Sequence, residues 1–292
     1  MITFVGMKSR TSGKIRGQQI AKLIPGSNFF DWSEIHTNLE KIHKHVIIVR
    51  NRSSNVESFL KNRGHIIGFD VLDTVSSDLY FRNTQSDYSS VVDSLFNFYI
   101  VNNNLASAQL SKIVGSQNVF IIPHHHLNFN QKRYYAGEDI TTAGYLGLPE
   151  QLTNYDEIAS TFKKHNIRFI TNPGNDYNDC LKMLKNIQVG IVNMNNKFSK
   201  TFRECKPNTK LTNYQSFGII TLCNESESFR QFGDNQYLKH ENLNQLEKNL
   251  NLLLGDSMLR CNISDKGFEN SKKYHIKEVV KLYVNMVEQI KR

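Results

Sequence analysis

Three basic residues crowd one short stretch of the chain. Arg203, Lys206 and Lys210 stand within RECKPNTK (203–210), around Pro207 and Asn208, and LTNYQSFG then leads into the apolar run IITLC (219–223). Proline suits the first turn of a helix, and Asn208 or Thr209 can cap it, so a helix is predicted to open here. A helix N-terminus presents unpaired backbone N–H groups and a partial positive charge, which is the chemistry of anion binding. Arginine clamps a phosphate through two parallel hydrogen bonds while lysine acts as a point charge, and a diphosphate uses that set best. The competing reading is a solvated basic loop before a structural helix.

Other residues are candidates on the same grounds. Asp70 lies in the run HIIGFDV (65–71) and Asp73 two residues beyond it, at the end of FDVLD (69–73); Asp73 can serve as general base toward an acceptor hydroxyl or, with Thr74, cap the following turn. Asn224, Glu225 and Ser226 follow IITLC and offer the mixed donors and acceptors that sugar hydroxyls need, or an N-cap for the next helix. His124, His125 and His126 are consecutive, so on extended chain they point alternately and cannot share one ion; cleft lining, by His124 and His126, or linker packing outweighs a metal site. Gly6, Gly13 and Gly17 mark the first strand-to-helix turn without forming G-x-G-x-x-G. That loop either packs strand against helix or meets a ligand through Gly13 and Arg16.

The elements that must position these residues follow an alternating grammar. Apolar runs at ITFV (2–5), HVIIVR (45–50), HIIGFDV (65–71), NFYIVN (97–102) and NVFIIP (118–123) read as strands. Amphipathic stretches at 13–24, 33–43, 55–64 and 106–115 read as helices between them, which predicts a parallel sheet covered on both faces. Residues 124–140 break the rhythm. It restarts with strands at 141–148, 167–172, 189–194, 218–223 and 236–240 and helices at 154–165, 177–186, 209–217 and 241–254, before one last amphipathic stretch. The expected domains are 1–130, 131–270 and a C-terminal helix, 271–292, packing back on the first.

The chain has 292 residues, of which 39% are hydrophobic and 11% aromatic, with a formal charge of +9. That charge predicts attraction to polyanions: nucleic acid, an anionic membrane surface or a phosphorylated small molecule. No apolar run approaches the roughly 20 residues of a membrane-spanning helix, and the N-terminus lacks a secretory pattern, so the expectation is a cytoplasmic protein. The four cysteines form no C-x-x-C pair and read as reduced thiols.

The segment KPNTKLTNYQSFGIITLCNESESF resembles the donor-binding segment of GT-B fold glycosyltransferases: a basic residue, a helix of the type N-K-L-x-E-x-x-x-x-G, a strand and a polar loop. GKIRGQQIAKLI resembles the first helix of their acceptor domain, FDVLD its acidic strand end, FIIPHHH its last strand, and AGYLG (143–147) the first strand of the donor domain. The resemblance implies two Rossmann-like doubly wound domains facing across a cleft. It implies an N-terminal acceptor-binding domain and a C-terminal domain binding a nucleotide diphosphate sugar through Gly147, Asn193, Asn208, Asn213, Gly218, Asn224, Glu225 and Ser226. Arg203, Lys206 and Lys210 would stabilise the departing diphosphate. The acceptor would be a glycan or a lipid-linked molecule, with peripheral contact to an anionic membrane surface and no cofactor. No D-x-D motif is present to hold a metal. The sequence departs from the family pattern at Glu-x7-Glu, where Cys205 and Asn213 stand. Rival readings are a sugar-nucleotide epimerase or phosphoalcohol transferase of the same fold, and a basic nucleic-acid-binding or scaffold protein.

Overall fold

The computed structural model describes residues 1–72, 92–172, 177–193, 205–224, 227–230 and 236–290. The chain divides into two compact units between His124 and His125; Pro207 and the C-terminal helix from Ile276 belong to the first, and Asn208 to His275 to the second.

In the first unit, β1 (Ile2–Val5), β2 (Asn28–Phe30), β3 (His45–Val49), β4 (Ile66–Asp70), β5 (Phe98–Val101) and β6 (Val119–Ile121) form one parallel sheet in the order β2-β1-β3-β4-β5-β6. Successive side chains of a strand point to opposite faces, and β3 shows the consequence. Val46 and Ile48 join a core with Leu60, Phe69 and Leu110; Ile47 and Val49 join another with Phe4, Ile100, Val279 and Tyr283. Strands buried on both faces must be apolar almost throughout, which is why the runs stood out in the sequence.

Helices cover both faces. A π-helical turn, Gly13–Gln18, leads into α1 (Gln19–Ala21); α2 (Ser54–Asn62) and α3 (Asn104–Val114) follow. The helix expected over 33–43 is instead two single 3-10 turns, Trp32–Glu34 and Leu39–Lys41. Asp31 and Glu34 close a capping box on the first turn, a device that starts a helix without extending it. Strand β2 was not foreseen: it is three half-buried residues at the sheet edge, too short to show a period.

The second unit has β7 (Thr142–Tyr145), β8 (Arg168–Thr171), β9 (Val189–Val192), β10 (Ile220–Cys223) and β11 (Leu238–Lys239), parallel in the order β11-β10-β9-β7-β8. Its helices are α4 (Tyr155–Lys164), α5 (Tyr177–Leu184), α6 (Thr209–Ser216), α7 (Glu227–Arg230), α8 (Leu243–Gly255) and α9 (Ser257–Ser271). The last amphipathic stretch is two helices rather than one. A 3-10 turn, Lys272–Tyr274, separates α9 from α10 (Ile276–Ile290), and α10 returns to the first unit. Val279, Tyr283, Met286 and Val287 recur at helical spacing on its buried face.

Candidate functional site

In an open parallel α/β sheet all strands end at one edge, where loops and helix N-termini gather and ligands bind. In the second unit that edge is formed by the ends of β7 to β11. Three strands there are followed at once by asparagine: Asn172 after β8, Asn193 after β9 and Asn224 after β10. Asn172 is buried, its backbone N–H donating to Tyr145 O at 3.3 Å and its amide to the Cys180 sulfur at 2.8 Å. The Asn193 amide donates to Thr153 O at 3.3 Å, and the Asn224 N–H to Val192 O at 3.0 Å. A carboxamide both donates and accepts, which suits hydroxyls and heterocycle edges rather than a net charge. After β11 comes His240, buried, with neither ring nitrogen hydrogen-bonded among the described residues. Burial lowers its pKa from 6.5 to about 4, so the ring is neutral at pH 7.

Among the described residues, α6 brings positive charge to this edge. Its N-cap, Asn208, makes no side-chain cap hydrogen bond to the first turn, and the second residue of the helix is Lys210. Lys210 Nζ donates to the Tyr145 hydroxyl at 2.8 Å and lies 4.3 Å from the centre of that ring. Tyr145 ends β7, is buried, and passes its own proton toward Gln151 O at 3.3 Å. Burial pushes its pKa up to about 12, so the phenol stays protonated and accepts from the ammonium through a lone pair. Ammonium and helix N-terminus therefore stand together where the strands end, an arrangement that favours an anion.

Tyr214 fixes α6 on the sheet. Its hydroxyl accepts from Leu146 N at 2.7 Å and faces the carbonyls of Gly144 and Ile191 at 3.4 and 3.3 Å. Gly190 makes room for it: a Cβ there would lie 2.5 Å from the Tyr214 ring. The glycine in β9 thus sets how closely the helix carrying Lys210 approaches the strands.

Several candidates from the sequence do not present free groups to this edge. Asn213 is buried, accepting from Leu127 N and donating to Thr209 O, both at 2.8 Å. Gly218 lies past the other end of α6, where its φ of +80° ends the helix. Asn208 is buried and hydrogen-bonded to Tyr274. Gly147 stands two residues beyond β7, its N–H donating to Tyr145 O at 2.9 Å. Lys206 belongs to the first unit, as does Cys205, which joins that unit's core. Arg203, Asp73, Glu225 and Ser226 lie outside the described residues.

In the first unit Arg16, expected to meet a ligand, is fully buried. Its Nε donates to Asp70 Oδ2 at 2.8 Å and its Nη1 to the carbonyls of Ile122 and Pro123 at 2.9 and 2.8 Å. Tyr283 of α10 donates to the same carboxylate oxygen at 3.3 Å. The set ties β1's helix, the end of β4, the end of β6 and α10 together. Gly13 packs against Met7, whose carbonyl would be 2.2 Å from a Cβ. His124 is buried in the first unit and His126 in the second, where the His126 ring lies 5.6 Å from that of His275. Among the described residues no group of three or more His, Cys, Asp or Glu is placed to hold a metal ion. No helix among them is long and apolar enough to cross a membrane.

Tyr145, Asn172 and His240 were not singled out from the sequence. The signal for Asn172 was its position directly after an apolar run; Tyr145 reads only as an inward residue of its strand.

No family model matches the sequence, and no curated protein matches it. Solved structures do match. The HepE protein of Anabaena, solved with UDP and glucose, superposes with a TM-score of 0.68 over 99% of both chains at 8% identity. Sucrose-phosphate synthase from Thermosynechococcus elongatus gives 0.64 over 99% of this chain and 98% of its own at 10% identity. The fold is that of the GT-B glycosyltransferases. A glycosyltransferase from Rickettsia africae gives 0.62 at 11% identity, covering 100% of this chain and 98% of its own. Against the matched chain of the GtfA/B complex, this protein spans 57% of the length. At such identities the GT-B likeness concerns the fold, and residue roles rest on the geometry above.

Proposed function

We propose that the protein is a glycosyltransferase that moves a sugar from a nucleotide diphosphate sugar to a glycan or lipid-linked acceptor. The observation that carries the reading is Lys210, held by Tyr145 at the N-terminus of α6, at the carboxyl edge of the second sheet. A charge placed there meets the diphosphate and stabilises it as it departs, when its negative charge grows. Asn193 and Asn224 supply the mixed hydrogen bonding that ribose, base and sugar hydroxyls require, while the buried Asn172 holds Cys180 of α5. HepE of Anabaena, which shares the fold, has been solved with UDP and with UDP-glucose. Leaving-group stabilisation by an ammonium and a helix N-terminus needs no divalent ion, and the reaction is proposed to be metal-independent. The excess positive charge serves the anionic donor and an anionic membrane surface bearing the acceptor.

A thermal-shift panel of nucleotides and nucleotide sugars tests the donor site. A ligand binding only the folded state adds about 2.7 kcal/mol at a hundredfold excess over its Kd. The expected result is stabilisation by one diphosphate nucleotide and its sugar, absent in Lys210→Ala. If no diphosphate nucleotide stabilises the protein, the donor site is refuted. Product analysis with the stabilising donor separates sugar transfer from epimerisation and from phosphoalcohol transfer.

A further inference from the structure

The second unit holds a cavity of about 180 Å³ between α5 and the segment 127–134. Its lining shares no residue with the groups described around Lys210, although Tyr177 opens α5 at the carboxyl edge. Lys185 and Phe217, which line it, follow the C-terminal ends of α5 and α6, so the cavity reaches the amino edge of the sheet.

Two stacked aromatic pairs shape it. Phe129 and Tyr177 lie 6.2 Å apart at 26°, and Tyr134 and Phe217 5.2 Å apart at 27°. Phe217 is buried, whereas Phe129 is 39% exposed at the cavity's solvent side, with the His125 ring 5.7 Å from its own. The walls are fixed by backbone pairing: Tyr134 N and Tyr135 N donate to Phe217 O at 3.0 and 3.1 Å. The buried Asn128 amide donates to Lys132 O at 2.9 Å and to Ser216 O. Lys132 and Lys185 bring their ammonium groups to 5.4 and 5.6 Å from the Tyr134 ring centre. Among the described residues no acidic side chain lines the cavity.

We propose that this cavity binds one acidic sugar residue, a hexuronate, of a glycan chain. Aromatic faces carry negative charge density, and the C–H face of a pyranose is apolar and slightly positive, so the two stack. Lys185 at the rim then pairs with the carboxylate, a charge-assisted contact. Pockets for drug-sized ligands run from about 300 to 1,000 Å³, and this one is smaller, which matches a single ring better than a nucleotide. The inference does not depend on the donor reading.

The test is calorimetric titration of the full-length protein with a glucuronate-containing disaccharide, its carboxyl-reduced neutral counterpart and uridine monophosphate. The expected result is saturable binding of the acidic disaccharide, weakened about tenfold or more by Lys185→Gln, where a hydrogen bond to a charged group is lost, and weakened also by Phe129→Ala. Both side chains are at the surface, and Lys210→Ala leaves the affinity unchanged. Absence of saturable binding overturns the proposal. So does equal affinity for the neutral disaccharide, displacement by uridine monophosphate, or indifference to the Lys185 and Phe129 changes.

Discussion

Lys210 and Tyr145, 65 residues apart in sequence, meet with Nζ 2.8 Å from the hydroxyl oxygen and 4.3 Å from the ring centre. A lysine carries about 2 kcal/mol of rotamer entropy, and two contacts from one buried ring reduce what remains to be lost when an anion binds. Tyr145→Phe keeps the ring and removes the hydroxyl. The expected effect is a loss of about fivefold to tenfold in affinity for a diphosphate nucleotide, the size of one ordinary net hydrogen bond of about 1 kcal/mol. Lys210→Ala is expected to lose more, and neither change should alter binding of the unphosphorylated nucleoside. Calorimetric titration of the three proteins decides it; equal diphosphate affinity in Lys210→Ala removes Lys210 from the site.

The buried pair Arg16 and Asp70 predicts a stability effect of a particular form. Both side chains are 0% exposed, and Arg16 Nη2 and Asp70 Oδ1 have no hydrogen-bond partner among the described residues. Deleting one member of such a pair leaves a buried charge uncompensated and costs about 3–5 kcal/mol, whereas replacing both with apolar residues of similar volume is far less damaging. Arg16→Met should therefore be severe, and Arg16→Met combined with Asp70→Leu milder than either single change. Urea denaturation of the three variants measures this coupling. A double mutant as unstable as the sum of the singles contradicts it.

Much of the architecture was legible because parallel strands buried on both faces write themselves as apolar runs. HVIIV and VGIV could hardly be anything else, and five of the six strands of the first sheet fall where such runs lie. NFF at 28–30 was missed because a half-buried edge strand carries no such run. The site was legible in part. The helix opening near Asn208 with Lys210 in its first turn was foreseen, although Pro207 stands one residue before the N-cap and Asn208 makes no cap hydrogen bond. That Lys210 would find Tyr145, or that Arg16 would turn inward to Asp70, are contacts across 65 and 54 residues. No local rule contains them. Asn213 matched a ribose-binding pattern by position, yet its amide is engaged by Leu127 N and Thr209 O.

The buried histidines set an acid limit. Burial, with the neighbouring His275 and His125, lowers the His126 pKa from 6.5 to about 3, and burial lowers that of His240 to about 4. The folded state holds both rings neutral while the unfolded chain protonates them near 6.5. Below that pH the unfolded state binds more protons, so stability is fully present above about pH 6.5 and falls as pH drops toward 3 to 4. The slope approaches about 1.4 kcal/mol per pH unit for each histidine. His126→Gln should lower stability at pH 7.5 and flatten the decline between pH 6 and 4. Denaturation midpoints across that range check it, and an unchanged slope would show that His126 does not titrate between the two states.

Gly218 was a candidate for donor binding, and its geometry makes a sharper claim. Its φ is +80°, and a Cβ would stand 2.4 Å from Tyr135 O, which is backbone and cannot swing aside. Gly64 has a similar φ of +78°, but a Cβ there meets nothing within 4 Å. Alanine at Gly64 therefore measures the conformational cost alone, about 1 kcal/mol. Alanine at Gly218 adds the clash on top and should cost clearly more. Because Gly218 closes α6 at the end away from Lys210, the folded fraction of Gly218→Ala should bind diphosphate nucleotides with an affinity within about twofold of wild type, a difference under 0.5 kcal/mol. Paired denaturation and titration of the two variants separate these effects. A Gly218→Ala protein of normal stability that fails to bind nucleotide would place Gly218 in the ligand's path after all.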